Sequence, residues 1–224
     1  MYWLIFIAVA IVSYVVQFSF QRSFNKASAI PVLSGMTGRE VALKMLADHG
    51  IYDVTVTSTK GSLTDNFNPT NKTVNLSESV YGHNHVAAAA VAAHECGHAV
   101  QHATGYFPVK VRSALVPVIS ITNRFVPFVL LGGMLLINVF PNLIWVGIIL
   151  FALSTLFSFV TLPVEINASR RALAWMTQAD IIDPSNEEEA RDALRAAAFT
   201  YIVAALSSLA TLIYYMSIAS GRRN

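Results

Sequence analysis

Ala92-Ala93-His94-Glu95-Cys96-Gly97-His98-Ala99 sits in the middle of a run, residues 85–103, that is dominated by alanine and closed by Gly105. Alanine is the strongest helix former, and a glycine just past the run suits a helix C-terminus. The composition therefore predicts one strong helix over 85–103. On it, His94 and His98 fall on one face, one turn apart, where two imidazoles can share a single metal ion. Glu95, between them, can sit beside a water on that metal and accept its proton, the core chemistry of a zinc peptidase. The pattern has only three fixed letters and also occurs in helices whose histidines are merely solvated, so the surrounding sequence has to discriminate. Residues 87–93 have too little bulk to fill a core, which requires a sheet or another helix to pack closely against them.

The chain has 224 residues, of which 54% are hydrophobic and only 12% charged. With a positive mean hydropathy, that composition belongs in a membrane. Residues 2–20 carry no charge and are long enough to cross the hydrocarbon as a helix. No basic segment precedes them and no small-residue cleavage motif follows, so a first span is expected rather than a secretory signal. Residues 114–140 are apolar but interrupted by Pro117, Pro127 and Asn123-Arg124, and a second span is expected to begin near Thr122. Residues 143–162 form a third crossing, joined to the second by a Pro141-Asn142 turn. Residues 196–219 form the fourth, with Ser207 and Ser208 as small polar residues suited to close helix packing. The expected units are a first transmembrane helix (1–20), a polar segment with the histidine helix (21–113), a transmembrane hairpin (114–162), a second polar segment (163–195), and a last transmembrane helix with its tail (196–224).

Eight Lys and Arg residues lie in 21–113 (Arg22, Lys26, Arg39, Lys44, Lys60, Lys72, Lys110, Arg112) and four in 163–195 (Arg170, Arg171, Arg191, Arg195). The distribution predicts that both polar segments face the cytoplasm, with Arg222 and Arg223 on the opposite side as a mild violation. Cys96, the single cysteine, can form no intramolecular disulfide. Two positions from each histidine, it points elsewhere on the helix and reads as a small buried residue. No basic block with interleaved aromatics points to nucleic acid.

Within 21–113, Thr37-Gly38-Arg39-Glu40 fits a capping box opening a helix over 38–49, with Gly50 at its end. Alternation at 53–58, a run at 62–67, a four-residue connection at 68–71 and a run at 73–76 predict a small antiparallel sheet. The edge at 62–67 could pair with an extended peptide or be a plain structural hairpin. Further on, Ser185 and Glu188 fit a capping box opening the last helix, with the neighbouring acids favouring its positive end.

A catalytic zinc needs a third protein ligand and one open position. His102 continues the histidine row but lies ~12 Å along the helix from His94, far beyond zinc's ~2 Å bonds. His49, His83 and His85 have no helical spacing that recruits them. Glu165, just past the third crossing, is the better candidate, because an ionisable group at a membrane boundary needs a partner. That partner is either a metal or Arg170 or Arg171 in an interfacial ion pair.

Several ordered motifs match a family: Thr37-Gly38-x-Glu40; Leu63-Thr64-Asp65-Asn66-Phe67-Asn68-Pro69; Leu76-Ser77-Glu78; Ala92 to Ala99; and Thr161-Leu162-Pro163-Val164-Glu165-x-Asn167-Ala168-Ser169-Arg170-Arg171-Ala172. Over nearly its whole length the chain resembles the bacterial neutral zinc metallopeptidases often called YugP-like, membrane proteases of the gluzincin kind. The resemblance implies one Zn²⁺ held by His94, His98 and Glu165, with Glu95 as the base. It also implies that a strand before the metal helix, here Thr64, Asp65, Asn66 and Phe67, binds substrate as an added strand. Three positions depart from the family pattern: Asn66-Phe67 stand where His and Tyr are usual, and Asn167 where Asp is frequent.

Asn167 and Ser169 are either hydrogen-bond partners of the ligands or ordinary helix-surface polarity. Asn167, His85, Tyr81 and Tyr201 are the candidate donors to the oxyanion. The resulting expectation is a mainly α membrane protein with about four transmembrane helices and a small cytoplasmic α+β zincin-like portion. It would be a multi-pass protein of the bacterial cytoplasmic membrane, a zinc endopeptidase acting on peptide or protein substrates at or in the bilayer, with any further membrane protein partner unspecified. The alternatives are a non-catalytic scaffold keeping a structural metal, and an intramembrane site-2-type protease.

Overall fold

The computed structural model describes residues 2–221, with side chains from residue 6 onward; Arg222 and Arg223 lie outside the described residues. The chain is mainly helical. Helix α1 (Tyr2–Ser28) is followed by α2 (Gly38–Asp48), strands β1 (Thr55–Thr59), β2 (Asn66–Asn68) and β3 (Thr73–Ser77), and the single turn α3 (Glu78–Tyr81). Then come α4 (Val86–Ala103), α5 (Phe107–Leu135), α6 (Pro141–Gln178), a 3₁₀ turn (Pro184–Asn186) and α7 (Glu187–Ser220). Four of these helices, α1, α5, α6 and α7, are long and apolar enough to cross a membrane.

All four long helices differ in extent from the expected spans, and two of them run through prolines. α5 runs unbroken through Pro117 and Pro127, and α6 through Pro163. Each proline deletes one ladder hydrogen bond, a loss that apolar helices tolerate when neighbours brace them. Glycine provides that bracing in the hairpin: a Cβ on Gly133 would meet the Ile144 backbone at 2.6 Å, and one on Gly147 would meet the Leu130 side chain at 2.7 Å. The expected division at 162/163 therefore falls inside one continuous helix. The capping box expected from Ser185 and Glu188 is replaced by Asp183, whose side chain accepts from the Ser185 amide and starts the 3₁₀ turn.

The sheet is mixed, not antiparallel. Its strand order is β1-β3-β2, with β1 parallel to β3 and β2 antiparallel to it. The six-residue connection 60–65, with Gly61 at φ +97° and Leu63 at φ +58°, carries β2 past the neighbouring slot, and β3 fills that slot. Alternation reveals that a segment is a strand but not which strand it will sit beside. β2 is three residues long and forms one edge.

The capping box at Thr37 and Glu40 is present and opens α2. His85 caps α4, its side chain accepting from the Ala88 amide at 3.0 Å. The alanines of α4 from Ala87 to Ala99 are almost completely buried, because α2, α6, α1 and α7 all close on it. Small side chains here let backbones approach: a Cβ on Gly97 would sit 2.8 Å from the Ala168 carbonyl of α6. That crossing fixes the relative position of residues 94–98 and 165–169.

Candidate metal centre

Helix α4 presents His94 and His98 toward α6, which supplies Glu165 at the same level. The Glu165 Oε2 atom lies 3.3 Å from His94 Nε2 and 3.6 Å from His98 Nε2, and the three donor atoms all fall within 4.8 Å of one another. Glu165 is 2% exposed. Its Oε2 has no hydrogen-bond partner, while Oε1 lies 3.4 Å from Arg112 Nη1 at the start of α5.

The tautomer of His98 follows from its neighbours. Gln101, fully buried one turn further along α4, donates from Nε2 to the Val164 carbonyl at 2.8 Å and to Asn167 Oδ1 at 3.0 Å. Because a carbonyl can only accept, these two bonds orient the amide and leave Gln101 Oε1 facing His98 Nδ1 at 3.1 Å. His98 Nδ1 must then be the donor, and in the neutral ring Nε2 carries a bare lone pair toward a carboxylate. Two acceptors face to face repel unless a cation lies between them or the ring is protonated. Ligands on ~2.0–2.1 Å bonds at tetrahedral angles stand ~3.3 Å apart, close to the two observed separations. The unpartnered Oε2, the spacing and the oriented imidazole all fit a zinc ion.

His94 is held in a similar way, its Nδ1 lying 3.1 Å from Ser169 Oγ on α6. Asn167 Oδ1 also accepts from Arg171 Nε at 2.8 Å. Ser169 thus touches His94 directly, and Asn167 reaches His98 through Gln101. Neither Arg170 nor Arg171 pairs with Glu165; its cationic neighbour is Arg112.

Glu95 is 8% exposed and shares two cavities with His94 and Glu165. Burial pushes its carboxyl up to about 7; His94 works against the rise, Glu165 and Asp65 add to it, and the Phe67 backbone amide opposes it. A carboxyl poised near neutrality can take up and release a proton at working pH. Cys96, buried beside it, has its thiol raised by the same burial and donates to the Ala42 carbonyl at 3.5 Å.

The residues expected to bind substrate are placed unevenly. Asp65 lines both cavities, but its carboxylate accepts from the Ser77 amide at 2.7 Å and the Ser77 hydroxyl at 3.0 Å. Thr64 bonds Thr59 across the 60–65 connection, and Asn66 Oδ1 accepts from Asn75. Their side chains serve the sheet, while Asn66 and Phe67 border the cavity beside Arg112. Phe67 packs at 5.4 Å on His102. Tyr201 of α7 borders both cavities, whereas His85 caps its helix and Tyr81 lines neither.

Two residues escaped the sequence reading. Gln101 lies three positions after His98 on the same face of α4, a spacing that could have drawn attention to it. Arg112 gave no local signal, because only the turn between α4 and α5 brings it to Glu165.

The family described as "Putative neutral zinc metallopeptidase" matches residues 2–220. A relative from Bacillus subtilis (strain 168), "Putative membrane protease YugP", is 41% identical over 206 residues, covering 92% of this chain and 91% of the relative. No solved structure matches.

Proposed function

Because the chain belongs to the family described as "Putative neutral zinc metallopeptidase", we propose that it is a membrane-embedded, zinc-dependent endopeptidase of the gluzincin kind. It would hydrolyse peptide bonds in membrane or membrane-associated proteins, at a site facing the cytoplasm. The observation that carries the reading is the convergence of His94, His98 and the otherwise unpartnered Glu165 Oε2, with Glu95 beside them. In this reading His94, His98 and Glu165 hold one Zn²⁺, which when bound acidifies water and polarises the scissile carbonyl.

The protein's own groups do the rest. Glu95 accepts the proton of the attacking water and returns it to the leaving amine. Ser169 and Gln101 fix the orientation of the two imidazoles. Arg112 holds Glu165 Oε1 and leaves Oε2 free for the ion. The Tyr201 hydroxyl is the donor we assign to the developing oxyanion, since its side chain borders both cavities at the metal centre.

The two cavities suggest how a chain would lie. One, of about 330 Å³, runs between α1, α4 and α7 past Phe20, Phe24, Ala90 and Ala197. The other, of about 480 Å³, runs past β2 and Arg112. A peptide extended along β2 through its backbone amides would have one half among apolar side chains and the other in the polar groove, which suits sequences at a membrane surface. The distribution of Lys and Arg supports the cytoplasmic orientation. Helix α4 is not among the four candidate crossings, which weighs against a site-2-type arrangement, where the motif lies inside a span.

Glu95→Gln tests the proposal. The variant is expected to keep stoichiometric zinc and to cleave casein about 10²–10⁴-fold more slowly, the usual contribution of a positioned general base. Undiminished cleavage would overturn the assignment of Glu95.

A further inference from the structure

Arg170 of α6 and Arg191 and Arg195 of α7 border a single groove of about 590 Å³ between the two helices, and no acidic side chain borders it. Three guanidinium groups gathered in one groove repel one another. Arg191 bonds Glu187 one turn earlier, yet its Nε is buried with no hydrogen-bond partner. Arg170 and Arg195 make no ion pair among the described residues.

The groove is also ordered along its length. Arg195 is the last charged residue before the uncharged stretch 196–221. Past it, on the membrane side, the walls become Ile166, Ala198, Phe199 and Ile202, with Ile202 about 10 Å deeper along the helix. Phe199 is 54% exposed. A basic mouth followed by an apolar channel, at the boundary of two candidate membrane-crossing helices, matches a molecule with a phosphate head and a hydrocarbon tail. Guanidinium forks suit phosphate oxygens, and basic pockets between transmembrane helices on the cytoplasmic side are a recurrent setting for anionic lipid heads.

We propose that this groove binds an anionic membrane phospholipid, with the headgroup phosphate between Arg170, Arg191 and Arg195 and one acyl chain along Ile166, Phe199 and Ile202. The groove shares Ser169, Leu194 and Ala198 with the cavity at the metal centre, so the lipid lies against the wall that carries the His94 partner. Its binding requires no catalysis.

The test is native mass spectrometry of the full-length protein in neutral detergent, titrated separately with phosphatidylglycerol, phosphatidylcholine and inorganic phosphate. The wild type is expected to hold phosphatidylglycerol through detergent stripping and to lose phosphatidylcholine. Arg170→Gln/Arg195→Gln is expected to bind phosphatidylglycerol about thirtyfold more weakly, from the usual contribution of each basic residue near a membrane surface. Arg39→Gln/Lys60→Gln removes the same charge from exposed positions on the polar segment and is expected to bind as the wild type does. Arg170→Lys/Arg195→Lys keeps the charge and serves if the glutamine variant does not fold; it should weaken binding severalfold by losing the planar fork. Groove variants with wild-type affinity, equal losses in the Arg39/Lys60 control, or retention of phosphatidylcholine equal to phosphatidylglycerol would each overturn the proposal. So would inorganic phosphate binding as tightly as the lipid, which would assign the arginines to a free phosphate.

Discussion

Gln101→Met separates what holds the metal from what holds the fold. The native side chain is fully buried and makes three contacts: Oε1 to His98 Nδ1 at 3.1 Å, and Nε2 to the Val164 carbonyl at 2.8 Å and Asn167 Oδ1 at 3.0 Å. Methionine is similar in length and fills the space, but it neither accepts well from the imidazole nor donates to the carbonyl. His98 would lose the bond that sets its tautomer, and such partners are worth about 10–100-fold in metal affinity. Competition against a chromogenic zinc chelator in detergent reads that loss directly. The stranded His98 N–H adds about 1–3 kcal/mol to the cost of folding, read as a lower thermal midpoint of the metal-free protein. Gln101→Glu divides the two effects. Its carboxylate still accepts from His98, so zinc affinity should stay within about threefold of wild type while the metal-free fold weakens. Wild-type zinc affinity in Gln101→Met, with the protein folded, would refute the claim that Gln101 orients His98.

Gly97→Ala should lower the thermal midpoint and weaken zinc binding together, because the new Cβ would meet the Ala168 carbonyl at 2.8 Å and push apart the two helices that carry the proposed ligands. Overpacking of this kind typically costs about 1–3 kcal/mol, and a variant as stable and zinc-tight as wild type would show that the crossing is slack. His85 accepts from the Ala88 amide, which requires a neutral ring, and burial, with His83 adding, lowers its pKa from 6.5. In the window below 6.5 the unfolded chain binds the proton first, so the cap's stabilisation is complete above that pH and is lost as the pH falls through it. His85→Asn, which caps without titrating, should therefore show a shallower fall in thermal midpoint between pH 7.5 and 5.5 than the wild type; equal slopes would remove His85 from the acid response.

The site was legible where chemistry is local. His94, Glu95 and His98 follow from helical periodicity on an alanine-rich run, and the cap at Thr37 and Glu40 follows from side-chain reach. Glu165 was recognisable only as a carboxylate in need of a partner, with the arginines five and six positions on as plausible as a metal. What brings it to His94 and His98 rather than to those arginines is the close approach at Gly97 and Ala168, a contact between helices about seventy residues apart that leaves no periodic trace in either. Arg112 was invisible for the same reason. The strands showed in their alternation, but their order depended on how far the 60–65 connection could reach. Helix α5 starts before its expected span and α6 runs on past its own, because proline is a weaker stop where neighbouring helices brace the backbone.

Zinc content, measured on purified wild type, His94→Ala and Glu165→Ala, bears most directly on the proposal that α4 and α6 share one ion. About one zinc per wild-type chain, lost from both variants while they remain folded, is the predicted result. Zinc retained in folded Glu165→Ala and lost only from His94→Ala would return Glu165 to an ion pair with Arg112 and contradict the account.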